Sequence, residues 1–241
     1  MRQKKARYII LFAALAAGLF LYAKRPMQAY AGTDMDAPVV LELFTSQSCS
    51  SCPPADKLLG KLAEQDNIIA LGCHVTYWDH LQWKDTLSRP VCTARQAQYN
   101  RTLGRGNSFT PQLIINGRYS MVGSNSFSIG SAFEKTKKEP IGKIGLSTSD
   151  DGLHITLPEK LDADNLILVT YRDDLTQPIE SGENNGRTVS YTNPVDKMMR
   201  LPWDGIHKII VIDTPEDAAH IAVLAQKKDS GPIIAAGKLD L

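Results

Sequence analysis

The sequence runs short of positive charge once its first 31 residues are set aside. Six of its 27 lysines and arginines (Arg2, Lys4, Lys5, Arg7, Lys24 and Arg25) lie before Gly32, where there is no acidic residue. The rest of the chain carries 21 basic against 26 acidic side chains. That leaves no basic stripe to track a phosphate backbone, so nucleic acid is not an expected partner. Metal ligands are equally sparse. There are five histidines and four cysteines in 241 residues. Only one C-x-x-C occurs, and His74 and His80 lack ligand spacing, so no zinc site is expected. No motif calls for an organic cofactor. Long apolar runs are absent but for one, Tyr8–Ala23.

That run has the setting of an export signal. A basic stretch precedes it, and Ala29-Tyr30-Ala31, an A-x-A pattern, would allow cleavage before Gly32. The alternative is an uncleaved transmembrane anchor, for which the run is short of the roughly 17–25 residues required. On either reading residues 1–31 are a targeting or anchoring segment with its basic flank inside. Membrane contact is expected only through that segment, if uncleaved. The remainder is expected to be periplasmic or secreted, where disulfides form and persist.

The exported part is organised around Cys49-Ser50-Ser51-Cys52-Pro53-Pro54. The apolar run Val39–Phe44 before it reads as a mostly buried strand. Ala55–Gln65 after it sets Leu58, Leu59, Leu62 and Ala63 at helical spacing. Pro53 and Pro54 suit a first helical turn, where a missing N–H costs nothing. A helix N-terminus presents unpaired N–H groups and partial positive charge, which favour thiolate over thiol. Two cysteines one turn apart can also close a disulfide with little backbone movement. Glu42 interrupts the strand. It is expected on a strand end or the less buried face; the alternative is a carboxylate behind the dithiol that takes the proton of the second cysteine.

Ile68–Val75 reads as a second buried strand, parallel to the first across the helix. Thr76–Asp85 then forms a loop at the carboxyl end of a strand, where open α/β sheets place their sites. Its Tyr77, Trp78 and Trp83 either fold over one another or offer a patch to an extended peptide. Thr93–Leu103 reads as a helix, and the sequon Asn100-Arg101-Thr102 inside it is read as a chance match. Phe109–Tyr119 gives strand, Asn116-Gly117 turn, strand. Pro111 cannot donate to the ladder; a cis Thr110–Pro111 bond would leave the preceding backbone free to face a substrate strand. Ser128–Lys138 closes the unit as a helix.

This order of elements resembles the thioredoxin fold over residues 37–139. The run T-P-Q-L-I-I-N-G, with Val122-Gly123-Ser124 after it, is also glutaredoxin-like. More specifically, the sequence resembles an uncharacterised family of secreted bacterial thioredoxin-like proteins. The shared blocks are F-T-S-Q-x-C-S-S-C-P-P-A-D at Phe44–Asp56, H-V-x-Y-W-D at His74–Asp79, T-P-Q, and G-E-N-x-G at Gly182–Gly186. The thioredoxin resemblance implies Cys49 as an exposed nucleophile, Cys52 as a buried resolving thiol and Pro111 as a substrate-facing proline. Two departures stand out. Ser50-Ser51 is neither the Gly-Pro of reducing thioredoxins nor a His-containing pair. Glu42 lies one residue further from the first cysteine than the buried acid of thioredoxins, which leaves its face open.

Cys73 and Cys92 complete the cysteine count. An even number in an exported chain invites a second disulfide between them, and two buried thiols are the alternative. From Pro140 the pattern changes to short strands with polar turns: Lys143–Ser149, Leu153–Leu157, Asn165–Tyr171, Arg187–Tyr191, His207–Asp213, Ala218–Gln226 and Gly231–Leu239. That pattern is expected to be a β-sandwich domain over residues 140–241. Glu180–Arg187 is its chemical oddity, either a hairpin loop whose side chains satisfy its own backbone or a surface for docking a partner or packing against the dithiol domain.

The function expected is an exported thiol–disulfide oxidoreductase. Cys49, Cys52, Pro111 and Glu42 would do the chemistry, and Thr110, Tyr77 and Trp78 would bind the substrate. Its partners would be a cysteine-containing client protein and a redox partner that resets the dithiol. The competing expectation is a non-catalytic binding protein in which Cys49–Cys52 is a structural disulfide.

Overall fold

A computed structural model describes residues 37–241. The expected targeting segment, residues 1–31, lies outside the described residues. Among the described residues no helix is long and apolar enough to cross a membrane. For the described residues that corrects the expectation of a transmembrane helix.

The N-terminal region is a four-stranded sheet with helices. Its strands are β1 (Val39–Thr45), β2 (Ile68–His74), β3 (Gln112–Ile115) and β4 (Tyr119–Val122), in the order β2-β1-β3-β4. Strands β1 and β2 run parallel, linked by helix α1 (Pro53–Ala63), as a βαβ unit requires. The hairpin β3–β4 turns at Asn116-Gly117, both with positive φ. Helix α2 (Pro90–Thr102) precedes the hairpin and α3 (Ser126–Lys138) follows it. Helix α2 starts three residues before the periodicity predicted, because Pro90 takes the first turn while Arg89 stays extended. This is the thioredoxin-like arrangement.

The C-terminal region is largely β. A five-stranded sheet runs β11 (Val195–Leu201), β8 (Asn165–Tyr171), β13 (His220–Gln226), β14 (Ile233–Asp240), β5 (Gly142–Lys143). It packs on a three-stranded sheet of β12 (Ile209–Ile212), β7 (Gly152–Thr156) and β6 (Gly145–Ser149), which makes the expected sandwich. A separate ribbon pairs β9 (Leu175–Pro178) with β10 (Thr188–Tyr191).

The centre of the five-stranded sheet is buried on both faces, which is why β8 and β13 read as unbroken apolar runs. Leu166, Leu168, Ile221, Val223 and Ala225 point into the sandwich core. Val169, Tyr171, Ala222 and Leu224 alternate with them and join Val40, Phe44, Leu71 and Tyr99 in a core shared with the N-terminal region. The edge of β2 is covered by the chain after β10. Gly72 N–H donates to Asn193 O at 3.0 Å, and a Cβ on Gly72 would meet Thr192 O at 2.6 Å.

Candidate active site

Helix α1 begins at the dithiol. Cys52 is its N-cap residue, and the Ala55 and Asp56 N–H groups donate to Cys52 O. Cys49 and Cys52 form a disulfide with Cα atoms 5.4 Å apart. Ser51 Oγ lies 3.3 Å from Cys49 Sγ and donates to Thr110 O at 3.5 Å, so the dithiol faces the cis Thr110–Pro111 bond across one side chain. Trp78 Nε1 donates to Thr110 Oγ1 at 2.9 Å. Tyr77 packs beside Trp78 at the edge of the shared core.

The loop between β9 and β10 closes over this site. Asn184, 1% exposed, donates through Nδ2 to both Gln47 O and Cys49 O, each at 2.9 Å. Arg187 Nη1 donates to Asn184 Oδ1 and sets the amide's orientation. Glu183 Oε2 accepts from Ser50 N–H at 3.2 Å. Gly182 has φ +77° and packs on Trp83, where a Cβ would come within 3.3 Å of the tryptophan's own Cβ. Gln47 ties the seam together. Its N–H donates to Asp85, and its Oε1 accepts from Trp83 Nε1 at 2.8 Å. The Glu180–Arg187 loop closes part of its backbone on itself, with Arg187 N–H donating to Asn184 O, but the side-chain amide of Asn184 serves the dithiol loop and not its own backbone. As a result Cys49 is only 2% exposed, which corrects the expectation of an exposed nucleophile.

Glu42 also departs from expectation. It is wholly buried, not on a strand end. Arg95 Nε and Nη2 and the Tyr99 hydroxyl all donate to its carboxylate, and Gln226 accepts from Arg95 and donates to Tyr99. Burial opposes the Arg95 charge, but the Glu42 carboxylate outweighs it and raises the guanidinium pKa. Strand parity explains the placement. Glu42 shares its face with Val40 and Phe44, toward α2, whereas Thr45, three residues on, faces α1. With both oxygens engaged by Arg95 and Tyr99, Glu42 is a structural ion-pair partner and does not serve the dithiol.

A different acid lies under α1. Asp56 sits one turn after Cys52 and is buried, and Oδ2 has no partner. Burial pushes its carboxyl up to about 7, opposed by His74 and the Thr45 hydroxyl. His74 is paired with Thr45 in the β1–β2 register, so it shares that face. Its Nδ1 is 2.7 Å from Asp85 Oδ2, and its Nε2 is buried without a partner. Burial raises the Asp85 carboxyl, but His74 and the N–H groups of Gln47 and Leu87 outweigh that and hold it below its ordinary value. The Tyr191 ring stands edge-on to His74 at 4.8 Å.

Cys73 and Cys92 form the second disulfide, both wholly buried, and join β2 to α2. Asn100 is buried and accepts from Gln112 Nε2, so the sequon is internal. Sequence reasoning missed Asp56, His74 and Asp85 as a group. The signal available was only that the P-P-A-D and H-V-x-Y-W-D blocks carry ionisable residues beside apolar runs.

Fold and site together define a thioredoxin-like protein with a C-x-x-C disulfide, an arrangement consistent with redox chemistry, joined to a β-sandwich. Residues 40–226 match the family described as protein of unknown function DUF1223, and the chain belongs to that family. A crystal structure of a protein from Agrobacterium tumefaciens is 28% identical. It aligns over 85% of this chain and 95% of its own, with a TM-score of 0.74. HBP35 of Porphyromonas gingivalis is 17% identical over 87% of this chain and 77% of its own, with a TM-score of 0.53, a likeness of fold alone. No curated protein matches the chain.

Proposed function

We propose that the protein is an exported thiol–disulfide oxidoreductase acting on protein cysteines. The observation that carries this is the Cys49–Cys52 disulfide at the N-terminus of α1, one serine away from Thr110–Pro111. A client thiolate attacks Cys49 Sγ, the Cys49–Cys52 bond breaks, and Cys52 leaves as a thiolate that takes up a proton. A second client thiolate then attacks its own half of the mixed disulfide and releases Cys49. The reverse sequence reduces a client. A redox partner of the same thiol or disulfide chemistry resets the pair. Client entry displaces the Asn184 loop, and Thr110, Pro111, Tyr77 and Trp78 line the ground beside it. The export anatomy of residues 1–31 and the two disulfides support action outside the cytoplasm.

The cover over Cys49 is the one observation that favours the other reading, a binding protein with a structural bridge. Two measurements separate them. A Cys52→Ser variant is expected to accumulate mixed disulfides with clients, and Cys49→Ser is expected to abolish exchange. A couple with a potential below about −300 mV, together with unchanged exchange in Cys49→Ser, would establish the bridge instead.

A further inference from the structure

We infer that Asp56, backed by the His74–Asp85 pair, is the proton acceptor and donor for Cys52 during thiol exchange. The inference rests on the oxidoreductase reading and assigns the proton to a residue the sequence did not single out.

Exchange needs a place for one proton. When Cys52 attacks the Cys49 sulfur of a mixed disulfide, its S–H proton must leave as the client thiolate departs. In the opposite direction the Cys52 thiolate must regain a proton. Glu42 does not do this, because it faces α2 and is neutralised by Arg95. Asp56 is placed for it. It lies four residues after Cys52 in one regular helical turn, and its N–H donates to Cys52 O at 3.1 Å. Residues so spaced have Cβ atoms about 5–6 Å apart on one face, a gap that one water can bridge for proton transfer.

The surroundings are those of a proton site and not of a structural ion pair. Asp56 Oδ2, His74 Nε2 and Thr45 Oγ1 come from α1, β2 and β1. All three are buried and make no close hydrogen bond to any other protein group, and the Thr45 hydroxyl and His74 both act on the Asp56 carboxyl. Buried polar groups are rarely left unpaired, because each costs about 1–3 kcal/mol. Here three such groups from three elements face one another, so a proton on any of them has neighbours to pass to. His74 is held at Nδ1 by Asp85, and Asp85 is fixed by the N–H groups of Gln47 and Leu87 at 2.8 Å each. Nε2 is therefore the ring atom left to exchange a proton with Asp56. The ionisable groups that act on Asp56 from other elements are His74 from β2, Asp85 from the loop after β2 and Tyr191 from β10, and Cys52 precedes it by one turn on its own helix. None of them is a permanent cation. That leaves the carboxyl titrating near neutrality, where an acid–base group works best.

The test follows the oxidised full chain with dithiothreitol and the reduced chain with glutathione disulfide, from pH 5 to 9. Wild type is expected to show an inflection near pH 7. Asp56→Asn is expected to lose that inflection and to exchange about 100-fold more slowly at its plateau. His74→Gln is expected to move the inflection without abolishing exchange. Exchange in wild type with an unaltered profile in Asp56→Asn overturns the inference alone. No exchange in wild type overturns the oxidoreductase reading and the inference with it. If Asp56→Asn does not fold, carbon NMR of the Asp56 carboxyl in wild type decides. A midpoint that differs between the oxidised and reduced forms supports the inference, and the same midpoint in both overturns it.

Discussion

Replacing Asn184 with alanine should unmask Cys49. The amide donates two buried hydrogen bonds, to Gln47 O and Cys49 O, and is the strongest polar tie between the β9–β10 loop and the dithiol. Each such bond contributes about 1 kcal/mol net, so closing the loop should lose about 2 kcal/mol. If reagents reach Cys49 only when the loop opens, that loss raises the open population roughly 30-fold, at about 1.4 kcal/mol per tenfold. The assay is alkylation of the reduced protein by iodoacetamide at fixed pH, with each cysteine followed by mass spectrometry. Cys49 should react roughly 30-fold faster in Asn184→Ala, while Cys73 and Cys92, kept apart from the loop in the shared core, should not change. Asn184→Asp keeps the shape but cannot donate, and should accelerate Cys49 as well. Equal rates for Cys49 in wild type and both variants would show that the loop does not control access.

Three further outcomes are expected. Unfolded Asp56 titrates at the ordinary carboxyl value of 3.8 and folded Asp56 at about 7, so the native state holds the extra proton between those values. Stability should therefore fall as pH rises from about 4 to 7, by on the order of 4 kcal/mol from this group. Melting temperatures at pH 5 and pH 8 should show that slope reduced in Asp56→Asn. Arg95→Met leaves Glu42 charged and buried without its partner, and should cost about 3–5 kcal/mol in a denaturant titration; adding Glu42→Gln should recover part of it. Replacing Cys73 and Cys92 together with alanine opens a bridge between residues 19 apart in sequence and should cost about 3 kcal/mol, with Cys49–Cys52 exchange retained.

The N-terminal fold was legible because its signals are local. A strand running into C-x-x-C-P-P, a Thr-Pro before an apolar run and an Asn-Gly turn each fix geometry within a few residues. The sandwich was legible from alternation and turns, but β9 and β11 were not. Leu175–Pro178 ends in proline and is mostly exposed, and Val195–Leu201 interleaves Asp196, Lys197 and Arg200 with its apolar residues along a sheet edge. The site was only half legible. The cysteines announce themselves through spacing. The meeting of Asn184 with Cys49, 135 residues apart, depends on how the β9–β10 loop lies over the dithiol, and that of Arg95 with Glu42 on how α2 packs against β1, which no short window contains. Glu42 shows the limit most sharply: a one-residue difference in strand position decides which face a side chain takes.

The guanidinium of Arg95 has a consequence for how this architecture can be inherited. Its acid partner comes from β1, but one amide that completes its surroundings, Gln226, belongs to β13 of the sandwich. The dithiol half is therefore not a portable cassette. Spliced away from its sandwich, it would open a charged wound in its own interior and lose the amide that shutters Cys49. Substitutions in the two halves should consequently be tolerated in concert, and grafting a sandwich from a distant relative should disturb the sulfur chemistry without touching either cysteine.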